Sequence, residues 1–424
     1  MKYKVYNCNS YNIHTIKTDK FKTCHLELLF RKKIDKKDLT NYSLLVNLLG
    51  NSCKKYPTKR ELSLHLDELY KAFYYSIVGR VGNVILTSIM FDFISPKYIN
   101  EDSYFEDAIN FPFNALLEPN VINDEFDKNQ FDLKKKSLEL EIRSIEENGL
   151  RYSLFKALEK MDKNSVSGFR ACGTVEELEK ITPASLYQTY KELFKKNKCD
   201  IFLIGDLDME KAVSIIKKAF NYRIINNEKL DFSINNKVRK KEQFCVEKGP
   251  FLQSNLVFIY NMQDLSKREK DIVLQVYNYI LGSGGLKSKL YEEIREKNSF
   301  CYSIDSFTKK HDNLLFIYTS LDNKNIKKSI KMIKDIVNNM GKNLITQEDL
   351  ENSKRNLEIS LKASSDVPSS IINNYIFKVF NNEPDIEEKR ELLKTVTMDE
   401  VKNLAKKMKI NTIYVLEGRD NEKD

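Results

Sequence analysis

The chain has no tryptophan, only four histidines in 424 residues, and no apolar run approaching the ~18 to 20 residues that a bilayer-spanning helix needs. Its first residues, MKYKVYNCNSYN, lack the apolar core of a secretion signal, so a cytoplasmic location without membrane contact is expected. The seven cysteines (Cys8, Cys24, Cys53, Cys172, Cys199, Cys245 and Cys301) are odd in number and never spaced as CxxC. That pattern argues against a disulfide framework or a thiolate zinc site and leaves reduced, mostly buried thiols. Charge of a single sign is scarce as well. The 70 Lys and Arg are interleaved with 61 Asp and Glu, as in KKEQ, KREKD and EEKRE. A formal charge of +9 spread in this way describes solvated helix faces, and no nucleic-acid partner is expected. Phenylalanine and tyrosine are plentiful, at 24 and 22 residues, and 41% of the chain is hydrophobic. Ordinary globular cores can therefore form, and the length calls for more than one of them.

The chain reads as an α+β succession. Residues 4 to 31 give two short β-like runs, the second with Cys24, Leu26, Leu28 and Phe30 in alternation. Helices are expected over 40–49, 58–70, 104–117, 123–147, 150–162 and 175–196, with strands around Tyr75, over 84–91 and over 200–205. A polar Asn- and Lys-rich segment then leads into the same order of elements again. LDELYKAFYYSI matches YEEIREKNSFCYSI, VILTSIMFD matches LLFIYTSLD, and KITPASLYQTYKELFKKNKCDIFLIG matches TVTMDEVKNLAKKMKINTIYVLEG. Tyr75 thereby pairs with Tyr302 and Asp92 with Asp322, an internal repeat. The expectation is two tandem homologous domains, 1–222 and 244–424, joined by a linker over 223–243. Each would be a mainly antiparallel sheet with helices packed on one face.

The densest stretch is Leu281–Ser303, LGSGGLKSKLYEEIREKNSFCYS. Gly282, Gly284 and Gly285 read as a turn with positive φ, followed by an amphipathic helix with Leu290 and Ile294 on its apolar face. Taken alone, Arg295 is an arginine in the last helical turn, favoured there by the helix dipole, and Tyr302 opens a half-buried strand. The glycine cluster is no dinucleotide motif, since its spacing is GxGG and a helix precedes it.

Two tandem α+β halves with GGxxSKLYxxIREKxSxCY opening the second resemble the pitrilysin-type (M16) metallopeptidase family over nearly the whole chain. The runs TDKFKT (18–23), YPTKREL (56–62), LDELY (66–70) and ITPASLYQTY (181–190) are similar to its bacterial YmfF-like branch, whose members usually lack the catalytic motif. The resemblance implies that the zinc motif HxxEH falls on residues 41–45, where this chain has Asn41, Leu44 and Leu45, with Glu141 at the distal carboxylate position. A zinc hydrolase needs two imidazoles one turn apart, a glutamate to take the proton of the metal-bound water, and a third ligand. Leucines supply none of these. His14, His25 and His311 stand alone in the sequence, and HLDEL (65–69) lacks the second histidine, so His65 offers no replacement.

The resemblance further implies that Arg295 and Tyr302 match the pair with which active members hold the substrate backbone and the developing oxyanion. The expectation is a catalytically inactive subunit that binds no zinc, takes extended peptide and completes the site of an HxxEH-bearing partner of similar size, which carries the zinc. The chain would contribute Arg295 and Tyr302 in trans, in a role connected with peptide maturation. The alternative is a non-enzymatic scaffold associated with a modification enzyme or with elongation factor P modification. A self-sufficient enzyme of unrelated chemistry finds no supporting Ser, Cys or His arrangement in the sequence.

Overall fold

A computed structural model describes residues 1–221 and 228–419, and the start of the expected linker, 222–227, lies outside them. The chain forms two compact units. Met1–Arg143, Phe169–Phe232 and Pro368–Ile372 make the first, and Ser144–Gly168, Ser233–Val367 and Asn373–Asp424 the second.

The first unit is built on strands β1 (Lys2–Asn7), β2 (Tyr11–Lys17), β3 (Thr23–Lys33), β4 (Phe73–Val81), β5 (Val84–Ile94) and, after the two-residue pair β6 (Val121–Ile122) and β7 (Glu125–Phe126), β8 (Lys198–Gly205). Its sheet runs β1-β2-β8-β3-β5-β4, with β2 and β8 parallel and the other neighbours antiparallel. Leu26, Leu28 and Phe30 of β3 are buried on one face, as their alternation requires. The helices are α1 (Lys36–Leu49), α2 (Lys59–Glu68), α3 (Tyr104–Leu117), α4 (Lys128–Glu147), α6 (Val175–Glu179), α7 (Pro183–Lys196) and α8 (Met209–Ala219), while α5 (Gly149–Met161) belongs to the second unit.

Local chemistry explains where these elements depart from expectation. The helix expected over 123–147 begins five residues later, because Asn123 and Asp124 take φ of 52° and 62° and close the β6–β7 hairpin. The helix expected over 175–196 is two helices, since Thr182, held extended before Pro183, starts a new one with a reciprocal cap to Ser185. The two strands expected over 4–31 are three.

The second unit repeats the plan. Strands β9 (Gln243–Lys248), β10 (Ser254–Met262), β11 (Cys301–Lys309), β12 (Leu314–Leu321) and β13 (Met408–Glu417) run in the order β11-β12-β10-β13-β9, with β9 and β13 parallel. This is the order β4-β5-β3-β8-β2 of the first sheet, so the sequence repeat is a repeat of topology. Helix α9 (Leu274–Asn278) continues at both ends into π-helical turns, Glu269–Val273 and Tyr279–Ser283, and α10 (Ile326–Met340), α11 (Gln347–Ser364), α12 (Pro368–Asn381, of which Pro368–Ile372 belong to the first unit), α13 (Ile386–Lys394) and α14 (Met398–Ala405) follow. The main core lies between the sheet and these helices, where Leu256, Phe258, Ile272, Val276, Ile294, Ile317, Ile333 and Leu404 interlock.

In addition to this helical layer, α5 covers the sheet's other face. Ala157, Leu158 and Met161 pack on Val257, Ile259, Leu314, Phe316, Tyr414 and Leu416, which leaves every residue of β10 buried. The crossing between units therefore differs from a single cut at the linker. Backbone bonds run from Asn83 N to Phe232 O within the first unit and from Ile234 N to His311 O within the second. Among the described residues no helix is long and apolar enough to cross a membrane.

Burying a leucine or methionine of α5 against the sheet contributes ~1.5 to 3 kcal/mol, and truncation leaves a cavity besides. Leu158→Ala is expected to cost about 2 to 5 kcal/mol. Hydrogen exchange would show it: protection should fall in Ser254–Met262 and Met408–Glu417 and stay unchanged in Thr23–Lys33.

Candidate functional site

The site in the second unit begins with a hydrophobic anchor. Leu290 and Ile294, both fully buried, pull the turn Tyr291–Glu296 onto the core, and Arg295 follows at its edge, half-exposed. The chain then reverses: Ser299 takes a φ of 53°, its amide donates to Arg295 O at 3.0 Å, and the Phe300 amide donates to Ile294 O at 3.0 Å. Of the three glycines before this helix only Gly285 takes a positive φ, at 64°, which corrects the sequence reading. Gly282 serves close packing instead, because a Cβ there would lie 2.3 Å from Ser306 Oγ.

Strand β11 opens with an irregularity that aims Tyr302. Cys301 stands opposite Leu321 and Ser303 opposite Ser320, so Tyr302 is an extra residue in the ladder. Such a bulge turns its side chain out of the pleat, and Tyr302 is 82% exposed. Arg295 Nε donates to Tyr302 O at 3.3 Å, and the guanidinium carbon lies 5.9 Å from the tyrosine ring centroid, within cation–π range. The two residues that the sequence singled out are thus brought together.

They line an open cleft of about 300 Å³ with Gln253, Ser299, Phe300, Cys301, Leu321 and Asp322. Cys301 and Leu321 are buried beneath it. Burial pushes the Cys301 thiol up, so it is no thiolate nucleophile. With no histidine in the lining, the cleft supplies hydrogen-bond donors and one carboxylate, a set suited to holding a ligand.

The matching place in the first unit carries different chemistry. There Tyr75 lies on β4, Asp92 on β5 and His25 directly opposite Asp92 on β3. His25 Nδ1 is 2.6 Å from Asp92 Oδ1, its Nε2 lies 3.8 Å from Glu27 Oε2 at ion-pair distance, and Ser88 Oγ donates to Glu27 at 2.6 Å. Burial opposes the imidazolium, but Asp92 and Glu27 overcome that cost and hold His25 up at about 9. Burial, reinforced by the same two carboxylates, pushes Tyr75 up to about 12. The histidines alone in the sequence are therefore not alone in the fold. His14 meets Asp200 at 3.2 Å and His311 meets Glu383 at 3.4 Å, partners supplied by distant elements. Sequence reading missed this cluster and the part of Asp322 in the cleft; the Asp92–Asp322 match was the one signal for either.

At the expected zinc motif Leu44 and Leu45 are fully buried in α1, Asn41 is half-buried, and Ser43 Oγ donates to Ala171 O at 2.7 Å. Glu141 is exposed on α4, near enough to Cys172 to add to the upward push that burial gives that thiol. A buried aliphatic pair and an amide do not fit zinc. Among the described residues, no three His, Cys, Asp or Glu gather as a metal-holding group. His65 stacks on Tyr56 at 4.4 Å and faces Glu68 at 3.2 Å, an ordinary surface arrangement.

A family model described as Peptidase M16 inactive domain matches residues 180–357, which include Arg295 and Tyr302. The Bacillus subtilis (strain 168) protein named "Probable inactive metalloprotease YmfF" is 23% identical over 415 residues, 96% of each chain. The Helicobacter pylori (strain ATCC 700392 / 26695) "Non-peptidase homolog YmxG" is 28% identical over 218 residues, 49% of this chain and 48% of its own. Among solved structures, a conserved protein from Enterococcus faecalis V583 superimposes with a TM-score of 0.93 at 25% identity over 100% of both chains. A peptidase M16 inactive domain from Pseudomonas fluorescens does so at 0.78 and 16%, covering 100% of this chain and 99% of its own.

Two outcomes follow from this geometry. Because His25 titrates near 6.5 unfolded and about 9 folded, the stability from its charge is complete below about 6.5 and is lost as pH rises to about 9, a loss on the order of 3 kcal/mol. Denaturant titrations across that window should show the decline in the parent and a flatter course in His25→Gln. Separately, the triple change Asn41→His, Leu44→Glu, Leu45→His should lose roughly 2 to 5 kcal/mol at each leucine, seen as a lowered melting temperature without peptide cleavage.

Proposed function

We propose that this chain, which belongs to the M16 peptidase-like proteins, is a zinc-free, non-catalytic subunit that binds extended peptide at the Arg295–Tyr302 cleft. In this reading it completes the active site of a partner of the same family that bears an intact HxxEH. The observation that carries the proposal is the contrast between two places. Where the motif would stand, Leu44 and Leu45 are sealed in the core; where substrate would be held, a bulge presents Tyr302 to solvent beside Arg295. Its relatives' names, "Probable inactive metalloprotease YmfF" and "Non-peptidase homolog YmxG", support the non-catalytic part.

The two side chains divide the work by their chemistry. Arg295 has a planar guanidinium fork, anchored through Nε to Tyr302 O, with which to grip a peptide carbonyl. Tyr302 offers a neutral O–H donor on an exposed ring. Water attack on a peptide carbonyl builds negative charge on oxygen, and one donor aimed at that oxygen is worth about 10² to 10³ in rate. The zinc and its water belong to the partner; this chain's residues hold and orient the substrate.

Arg295→Ala and Tyr302→Phe should each lower the partner's turnover by about an order of magnitude or more, with complex formation and the partner's zinc content unchanged. Full activity in both variants would reduce this chain to a docking or scaffold protein. Elemental analysis of the isolated chain should find no stoichiometric zinc, and about one zinc per chain surviving dialysis against a weak chelator would overturn the non-catalytic reading.

A further inference from the structure

The cleft contains two opposite charges that do not satisfy each other. Arg295 and Tyr302 lie on its β11 side, Asp322 at the end of the neighbouring β12, and Gln253 just before β10 beyond it, with the buried Cys301–Leu321 pair in the lining. Among the described residues nothing donates to the Asp322 carboxylate. Its position begins the short turn Asn323–Asn325, where an aspartate ordinarily caps the free amides, yet its side chain makes no capping bond. Its side chain is exposed, and among the described residues no hydrogen bond or ion pair engages it, although its carbonyl accepts from the Asn325 amide at 3.0 Å.

The first unit shows what a carboxylate at this place in the fold does. Asp92, the repeat equivalent of Asp322, receives a positively charged imidazole from the facing position of the central strand, His25, at 2.6 Å. In the second unit that facing position, one residue beyond the Ser254–Leu321 pair, is Gln253, which is neutral. The fold supplies the cation in one unit and leaves it out in the other, in a cleft open to ligand. From this we infer that the cleft selects peptides presenting a lysine or arginine side chain, with Asp322 taking the cation while Arg295 and Tyr302 hold the neighbouring main chain. The inference rests on the peptide-binding reading above and adds a substrate class to it.

Labelled extended peptides identical except for a central Lys, Gln or Glu, titrated with the full chain and read by fluorescence anisotropy, provide the test. At low ionic strength the Lys peptide should bind roughly two- to fivefold tighter than the Gln peptide, the range for a solvent-exposed ion pair, and the Glu peptide weakest. High salt should compress the differences. Asp322→Asn should erase the preference, Asp322→Lys should turn it toward Glu, and Arg295→Ala should weaken all three peptides together. If all three bind the parent equally, or if Asp322→Asn keeps the preference for Lys, the inference fails while peptide binding stands. If none binds the parent, the peptide-binding reading itself fails and takes this inference with it.

Discussion

The pairing of β12 with its two neighbours is the constraint on which the second unit's site depends. Its register with β10 runs without a break from Ser254–Leu321 to Asn261–Leu314, so the end of β12 is fixed by a fully buried central strand. On the other side the register with β11 must slip by one residue, because the chain leaves a helix anchored by Ile294 and enters the sheet within seven residues, Arg295–Cys301. A rigid edge and a slipped edge thus meet at one place. The slip exposes Tyr302, the fixed register sets Asp322 beside Gln253, and the hydrophobic anchor delivers Arg295. None of the three needs a flexible loop to reach the cleft, which is how a binding constellation keeps its geometry without bound ligand.

The two halves show the same frame put to different use. In the first, the position of the cleft is filled from within: the buried His25, Glu27 and Ser88 and the partly exposed Asp92 make ion-pair and hydrogen-bond contacts across β3 and β5. In the second, the position facing Asp322 is the neutral Gln253, and both of these residues are exposed. A buried ionic cluster is a costly way to fill space unless its charges are paired, and here Asp92 opposite His25 and Glu27 two residues along β3 supply the pairing. Opening the equivalent position to water removes that requirement and leaves charges available for a ligand.

Much of this was legible in the residues. The repeat announced two sheets of equal plan, Leu290 and Ile294 at helical spacing announced the anchor, and the arginine and tyrosine beyond it announced the site. What stayed hidden depends on distant partners or on turns competing with helices. His25 gives no sign in its own neighbourhood of Asp92, because the two are joined only when β3 and β5 align. Asn123 and Asp124 sit inside a run that helical periodicity claims, and their tolerance of left-handed backbone ends that claim. The slip at Tyr302 has no local signal, since it arises from matching a helix exit to a sheet whose register is set elsewhere.

Helix α5 carries a consequence for how the chain is made. It leaves the ribosome well before the strands that shelter Leu158 and Met161, so its apolar stripe waits unsheltered while the rest of the first unit and the crossing segment emerge. The second unit cannot close until its last strand, Met408–Glu417, arrives to complete the surface on which that stripe lies. Long-range closure of this kind slows folding and lengthens the interval in which an unfinished chain can associate with the wrong neighbour. It also means that neither half is a contiguous gene fragment: expressing the residues from the linker onward would produce a sheet with one face bare, and expressing those before it would produce a helix with nowhere to lie.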